Sequence, residues 1–344
     1  MVHKKRLLVV FLAVIVCAGL LPAFANGAAN EPKPITFTIV AQPPGTGPYG
    51  FAATLAKFMN DALPAGSTVN VIPRGGSMAN PTTLDMGKAD VGNSAGTATV
   101  WAWEGFPDVY AKYGAHKNIR RVTMGNVTVN YLMMMARKAY VEETGIDTLE
   151  KILNAKEMPR IAIKPPGSDV PPLFITMFRN MGKELDDYRK AGKLIQIQPA
   201  QIGEMMRDSR VDIYFESVPL NHPAVTEIAL TNDLYFIPVP PAAVEGLTKI
   251  GSQPIVLKAG SYRGLDRDYP TASTGNNFLA SKDAPEWAVY LFTKAMHERK
   301  DEFIKENPPA NTWNPEADIK LNALNPVPLH PGAARYFREI GWIK

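Results

Sequence analysis

Between residues 35 and 103, strand-sized apolar runs alternate with helix-periodic segments, and this alternation constrains the fold more than any other feature of the chain. Ile35–Ala41 (ITFTIVA) reads as a strand. A Pro/Gly loop follows, and a helix is predicted from about Tyr49 to Ala62, where Phe51, Leu55, Phe58, Met59 and Leu63 recur at helical spacing. Thr68–Ile72 is a second strand, and Pro73–Ser77 leads into a short helix with Ser77 as its N-cap. Asp90–Asn93 is a third, brief strand, and Ser94–Trp103 a helix. Strand, helix, strand, helix at this spacing predicts a parallel sheet covered by helices.

A second series of the same kind begins after Arg121–Ala136, a block that reads as two extended segments with Met133–Met135 as core filler. Strands are expected at Arg160–Lys164, Leu194–Gln198, Val211–Phe215 and Leu234–Val239. Helices are expected through Phe174 to Met181, over Ala200–Asp208 and over Asn221–Leu230. The tail carries a strong helix at Pro285–Lys300 and a short one near Ala333–Ile340. The chain has 344 residues, which at about 150 residues per domain agrees with two domains. The expected fold class is therefore α/β, as two lobes, each a βα sheet with helices on both faces, with a ligand cleft between them. Ligands of open α/β sheets sit outside the carboxyl ends of the strands, so the loops that follow strands matter most.

Residues 1–25 are a different material. Lys4, Lys5 and Arg6 precede an apolar run from Leu7 to Leu21, and Ala23-Phe24-Ala25 forms a small-x-small cleavage site. This is the pattern of a secretory signal peptide, too short in its apolar part for a spanning helix of about 20 residues. Its removal takes the formal charge from +4 to +1 and removes Cys17, the single cysteine. A near-neutral body argues against a nucleic-acid partner. Without cysteine it has no disulfide and no thiolate metal site. The histidines show no HxxxH or HxH pair, so no metal and no cofactor are expected.

Four loops carry candidate chemistry. Gly45-Thr46-Gly47-Pro48-Tyr49-Gly50 is formally G-x-G-x-x-G between a strand and a helix. It reads as a dinucleotide fingerprint only weakly, because an exported protein meets few nicotinamide cofactors and Pro48 removes an N–H. The same free N–H groups at a helix start can receive a carboxylate, or the loop can be a purely structural turn. Gly92-Asn93-Ser94-Ala95-Gly96 is formally G-x-S-x-G, which mimics a nucleophile elbow. It lacks a preceding oxyanion sequence, so ligand contact or structure are the stronger readings. Pro165-Pro166-Gly167-Ser168-Asp169 can cap the next helix or contact a ligand through Ser168. Glu216-Ser217-Val218-Pro219-Leu220 is read the same way. Arg74 is the only basic side chain among these loops and is the expected charge partner of an anion.

Together these loops resemble one family. QPPGTGPYGFAATLA, Gly75-Gly76-Ser77-Met78-Ala79-Asn80, the Gly87–Asp90 turn, PPGS at Pro165–Ser168 and SYRGLDRDYPT at Ser261–Thr271 follow in order. The tail LHPGAARYFREIG, Leu329–Gly341, is similar to a closing HPGA-x-x-Y-x-x-x-G run. The mature chain resembles the TAXI branch of TRAP-transporter solute-binding proteins, which are type II periplasmic binding proteins. The resemblance implies a periplasmic protein that is not an enzyme. Such a protein captures a small carboxylate (an amino acid, keto acid or dicarboxylate) and hands it to a TRAP permease. GTGPYG departs from the double glycine common in the family, and NSAGT from its Gln-Ser-Asp-like set.

The expected lobes are residues 31–138 plus 272–344, and 139–271, in a monomer. The expected ligand contacts are Gly45, Thr46, Gly47, Tyr49, Arg74, Gly75, Gly76, Ser77, Asn93, Ser94, Ala95, Thr97, Ser168, Asp169, Ser217 and Pro219. A periplasmic receptor for a sensor kinase, and a secreted serine hydrolase using Ser94, are the rival readings.

Overall fold

Two β-sheets share the chain in an interrupted order. The computed structural model describes residues 32–73, 75–316 and 325–344. The expected signal peptide and Arg74 lie outside the described residues. The first sheet holds β1 (Thr36–Val40), β2 (Thr68–Ile72), β3 (Val91–Ala95) and β4 (Ile119–Arg121), and it is completed by a strand from far downstream. The second holds β5 (Asn130–Arg137), β6 (Ile161–Ile163), β7 (Leu194–Gln196), β8 (Ile213–Pro219), β9 (Leu234–Phe236), β10 (Gln253–Leu257) and β11 (Tyr269–Thr274). The returning strand of the first sheet is β12 (Asn276–Ser281).

The strand order in the first sheet is β2-β1-β3-β12-β4. β1 runs parallel to β2 and β3, pairing Thr36 with Thr68 and Ile39 with Val91. β12 runs antiparallel to β3 and β4. The second sheet runs β10-β11-β5-β8-β6-β7, with β9 beside β5. Only the β6–β7 and β6–β8 pairs there are parallel. The parallel pairing read from residues 35–103 is found in β1, β2 and β3, and antiparallel strands are added beside it. β12 enters the first sheet directly from β11 of the second, with no crossover helix, and lies antiparallel to β3 and β4.

β5, with its methionine triplet, pairs with β8, β9 and β11, so the chain changes sheets between Arg121 and Asn130. It returns at Gly275, between Thr274 and Asn276. The two crossings lie side by side. Val127 N donates to Asn276 O at 2.5 Å, and the Asn276 backbone N donates to Thr128 Oγ1 at 3.2 Å. A side chain at Gly275 would lie 2.2 Å from Thr128 O.

Helices cover the sheets for ordinary reasons. The Gly47–Ala62 helix starts at the Thr46 cap with Pro48 in its first turn, and it buries Phe51, Leu55, Phe58 and Met59 at helical spacing. Its core partners include Phe37, Phe278 and Phe292. Met133, Met134 and Met135 are fully buried between sheet and helices. The Pro331–Glu339 helix is capped by His330, whose Nδ1 accepts from Gly332 N at 3.2 Å. Gly332 sits so near the Glu286–Glu298 helix that a Cβ would lie 2.2 Å from Glu286 O. The HPGA run is thus a cap and a helix-helix contact. Among the described residues no helix is long and apolar enough to cross a membrane.

Candidate functional site

Each sheet contains a strand flanked on both sides by parallel neighbours, β1 between β2 and β3 and β6 between β7 and β8. The order reverses at these strands, and crevices open outside their carboxyl ends. The loops singled out in the sequence leave from these two places.

In the first sheet Asn80 ties three loops together. Its Nδ2 donates to Ala41 O at 3.2 Å, Asn93 O at 2.8 Å and Asn93 Oδ1 at 3.0 Å, and its Oδ1 accepts from Gly76 N at 3.3 Å. Asn93 Nδ2 continues to Pro48 O at 3.0 Å. Both asparagines are fully buried. Sequence reasoning placed Asn93 among the contacts and missed Asn80, although the GGS-x-x-N spacing contained it. Gly75 adopts φ +127°, and a Cβ there would sit 2.2 Å from Asn80 Oδ1, so only glycine fits.

Ser77 does not cap a helix. The helix begins at Asn80, with Ala79 at the cap position and no side-chain capping bond. Ser77 Oγ accepts from Gln42 Nε2 at 3.1 Å, and Ser77 O accepts from Ser94 Oγ at 2.8 Å. Ser94 lies inside β3, fully buried, its hydroxyl spent on backbone carbonyls. A nucleophile elbow needs an exposed serine at a sharp turn with a histidine partner. His116, the histidine packed near these elements, bonds instead to Thr82 Oγ1 and Ala102 O. Thr46 Oγ1 is likewise occupied, accepting from Tyr49 N and donating to Pro43 O. Gly45 takes φ +85° and Gly47 opens the helix, with Tyr49 half-buried. Ala95 ends β3 and stands at the cap of the Gly96–Glu104 helix without a side-chain capping bond. Thr97, in that helix's first turn, is 1% exposed, and its Oγ1 is buried without a hydrogen-bond partner.

The second sheet contributes Gly167, Ser168 and Asp169 at the start of the Val170–Asn180 helix. Ser168 Oγ accepts from Val170 N at 3.0 Å. Gly76 and Gly167 bring the two sheets' loops into contact, because a Cβ on Gly76 would lie 2.8 Å from Gly167 O. Residues 216–219, expected as a loop, are the end of β8, a strand longer than its apolar run because Glu216 is buried with partners. Its carboxylate meets Lys164 Nζ at 2.8 Å, accepts from Ser217 N at 2.7 Å and from the Tyr214 hydroxyl. On the other face of β8, Ser217 Oγ and Thr274 Oγ1 lie 2.9 Å apart, and Thr274 Oγ1 reaches Asp169 Oδ2 at 3.4 Å. Burial pushes the Asp169 carboxyl above its ordinary value, with Lys164 opposing the rise. Pro219 closes β8, its carbonyl 3.5 Å from the Tyr262 hydroxyl.

The structure thus brings together Gly75, Gly76, Ser77, Asn93 and Ser94, sets Gly167 against them, and gathers Asp169 and Ser217 around Thr274. Beside the Gly76–Gly167 contact opens a cavity of about 610 Å³. Met78, Tyr110 and Tyr113 line it on one side, and Ser168, Pro171 and Ile175 on the other. An ion pair between Asp108 and Arg179 joins the same two sides. Among the described residues no cluster of three His, Cys, Asp or Glu side chains could hold a metal.

The architecture is similar to that of several solved structures. MatC from Rhodopseudomonas palustris, solved with bound malate, superposes with a TM-score of 0.52 at 13% identity, over 88% of this chain and 97% of that one. A TctC solute-binding protein from Polaromonas gives 0.48 at 15% identity, over 91% and 99%. The aliphatic sulphonate binding protein SsuA from Escherichia coli gives 0.44 at 11%, over 85% and 84%. At this identity the likeness to MatC is one of fold, a two-sheet α/β architecture. Residues 39–341 match the NMT1-like family, and the chain belongs to it.

Proposed function

We propose that the protein is an extracytoplasmic solute-binding protein of the TAXI branch. It would be exported by a cleaved signal peptide and act as a monomer in the periplasm. It captures a small carboxylate (amino acid, keto acid or dicarboxylate) and delivers it to a TRAP-type permease. Its two lobes follow the sheets, β1–β4 with β12 and the tail forming one, and β5–β11 the other. Closure is rotation about the paired crossings at residues 126–130 and 274–276. The observation that carries the reading is the Thr97 hydroxyl, buried without a partner in the first turn of the nine-residue Gly96–Glu104 helix. A buried, unpaired hydroxyl is costly unless a ligand completes it, and a helix N-terminus favours an anion. The glycine loops around Gly76 and Gly167 would add backbone N–H donors, and Ser168 and Arg74 further contacts.

Thermal unfolding of residues 26–344 against a panel of carboxylates tests this. A ligand at 100 times its Kd adds about 2.7 kcal/mol, which moves the midpoint by several degrees at this size. Thr97→Ala should abolish that shift. Protein shown to be free of carried-over ligand that shifts with no carboxylate would overturn the reading.

A further inference from the structure

The cavity beside the Gly76–Gly167 contact narrows the choice of carboxylate, on the reading just proposed. At about 610 Å³ it falls in the range of roughly 300–1,000 Å³ that takes a ligand with a body of its own, and it is roomier than a four-carbon diacid needs. Its walls are largely apolar: Met78, Tyr110 and Tyr113 face Pro171 and Ile175. Tyr113 is 50% exposed, so its ring is open to a ligand body in the cavity. The charges in the wall leave room for one acid group. Asp108 is paired with Arg179, and Arg189 with Asp186, while Lys88 has no ion pair among the described residues.

We infer that the ligand is a monocarboxylate with an aryl or branched alkyl body. Its acid group lies at the polar end, where Ser168 and the glycine loops meet, and its body lies along Tyr110, Tyr113 and Ile175. With Lys88 the one wall cation outside an ion pair among the described residues and committed to the first acid group, a second carboxylate on that body would be pressed against methionine, proline and isoleucine and would lose hydration without a second cation to meet it. The apolar body instead buries its own surface and that of Tyr113 at once.

Calorimetric titration of the mature protein separates the cases. Phenylpyruvate and 4-methyl-2-oxopentanoate represent the proposed class, and succinate, malate and glutamate the polar acids. At least tenfold tighter binding of the first pair is expected. Tyr113→Ala should weaken phenylpyruvate at least fivefold while leaving the unliganded thermal midpoint in place, and Ile175→Asn should do the same if it folds. Succinate, malate or glutamate binding as tightly as phenylpyruvate overturns this inference and leaves carboxylate capture standing. Binding of neither kind overturns both. Tight phenylpyruvate binding that Tyr113→Ala leaves unchanged overturns the placement of the body in this cavity.

Discussion

The side-chain amide of Asn80 donates to both the backbone carbonyl and the side-chain oxygen of Asn93, at 2.8 and 3.0 Å, with neither residue exposed to solvent. Through this pair, the loops after the first two strands are tied to the third strand. Preorganised donors cost a ligand less ordering than mobile ones do.

Asn80→Ala should therefore be among the most damaging single changes in the first sheet. It strands buried carbonyl oxygens of Ala41 and Asn93 and the Gly76 N–H, each a penalty of about 1–3 kcal/mol. The expected loss is about 3 kcal/mol in urea unfolding, with the m-value unchanged. A loss below about 0.5 kcal/mol would show that water replaces the network.

Gly75 and Gly76 separate by what their missing side chains would strike. Gly75→Ala forces a Cβ into Asn80 at a positive φ, so it should lower stability. Gly76→Ala strikes Gly167 O, across from the other sheet. It should leave the unfolding midpoint of the free protein near its original value and weaken ligand binding at least tenfold. Equal effects of both changes on stability would contradict the assignment.

Acid should destabilise the protein through its tail. His297, ringed by Trp313, Tyr336, Phe337 and Trp342, is pushed by burial down to about 3, and His330, also by burial, to about 4. Both are lowered bases. Their contribution is complete above an unfolded value near 6.5 and is lost as pH falls from there towards the folded values. Each unit of depression corresponds to about 1.4 kcal/mol. His297→Phe keeps the aromatic contacts and should flatten the acid limb in denaturant titrations between pH 7 and 4.

Asp169 works with the opposite sign. Its carboxyl is raised by burial, so the ionised form is penalised as pH climbs past the ordinary carboxylate range. Asp169→Asn can still accept from Thr274, and it should stabilise the protein at pH 7 but not at pH 3.5. A stability gain of the same size at both values would point away from ionisation.

The Asp108–Arg179 pair joins the two sides of the cavity with about half of Arg179 in solvent. Pairs of this exposure are worth at most about 1 kcal/mol to folding. Asp108→Asn should leave the midpoint nearly unchanged and raise the ligand dissociation rate several-fold, an effect that fades in high salt. Stopped-flow displacement at low and high ionic strength would measure it.

The βα alternation was legible because apolar periodicity reports one helix face or one strand at a time. It gave the Gly47–Ala62 helix within two residues at its start. β8 was cut short at Phe215 because Glu216 looks like a loop residue until Lys164 is seen beside it. β10, β11 and β12 were not read as strands, since PIVL, TAST and NNFLAS carry polar or proline positions whose partners lie on other strands. Ser94 was recognisable as a motif, but that its hydroxyl is consumed by Ser77 O depends on two loops meeting in space. Asn80 was visible only as the last letter of the GGS-x-x-N element that carries the family resemblance. The cavity wall could not be read, because Tyr113 and Ile175 are 62 residues apart and nothing local links them.

Gly275 is the only residue between the last strand of the second sheet and the returning strand of the first, and a single residue spans at most about 3.6 Å. With Val127 bonded to Asn276 alongside it, the halves of the molecule are pinned at two adjacent points. Two adjacent pins define an axle. In the hinge closure proposed above, such an axle favours rotation of the two halves over sliding. A pair of fluorophores placed at the far rims would read that angle directly, and one residue inserted beside Gly275 would turn the axle into a tether.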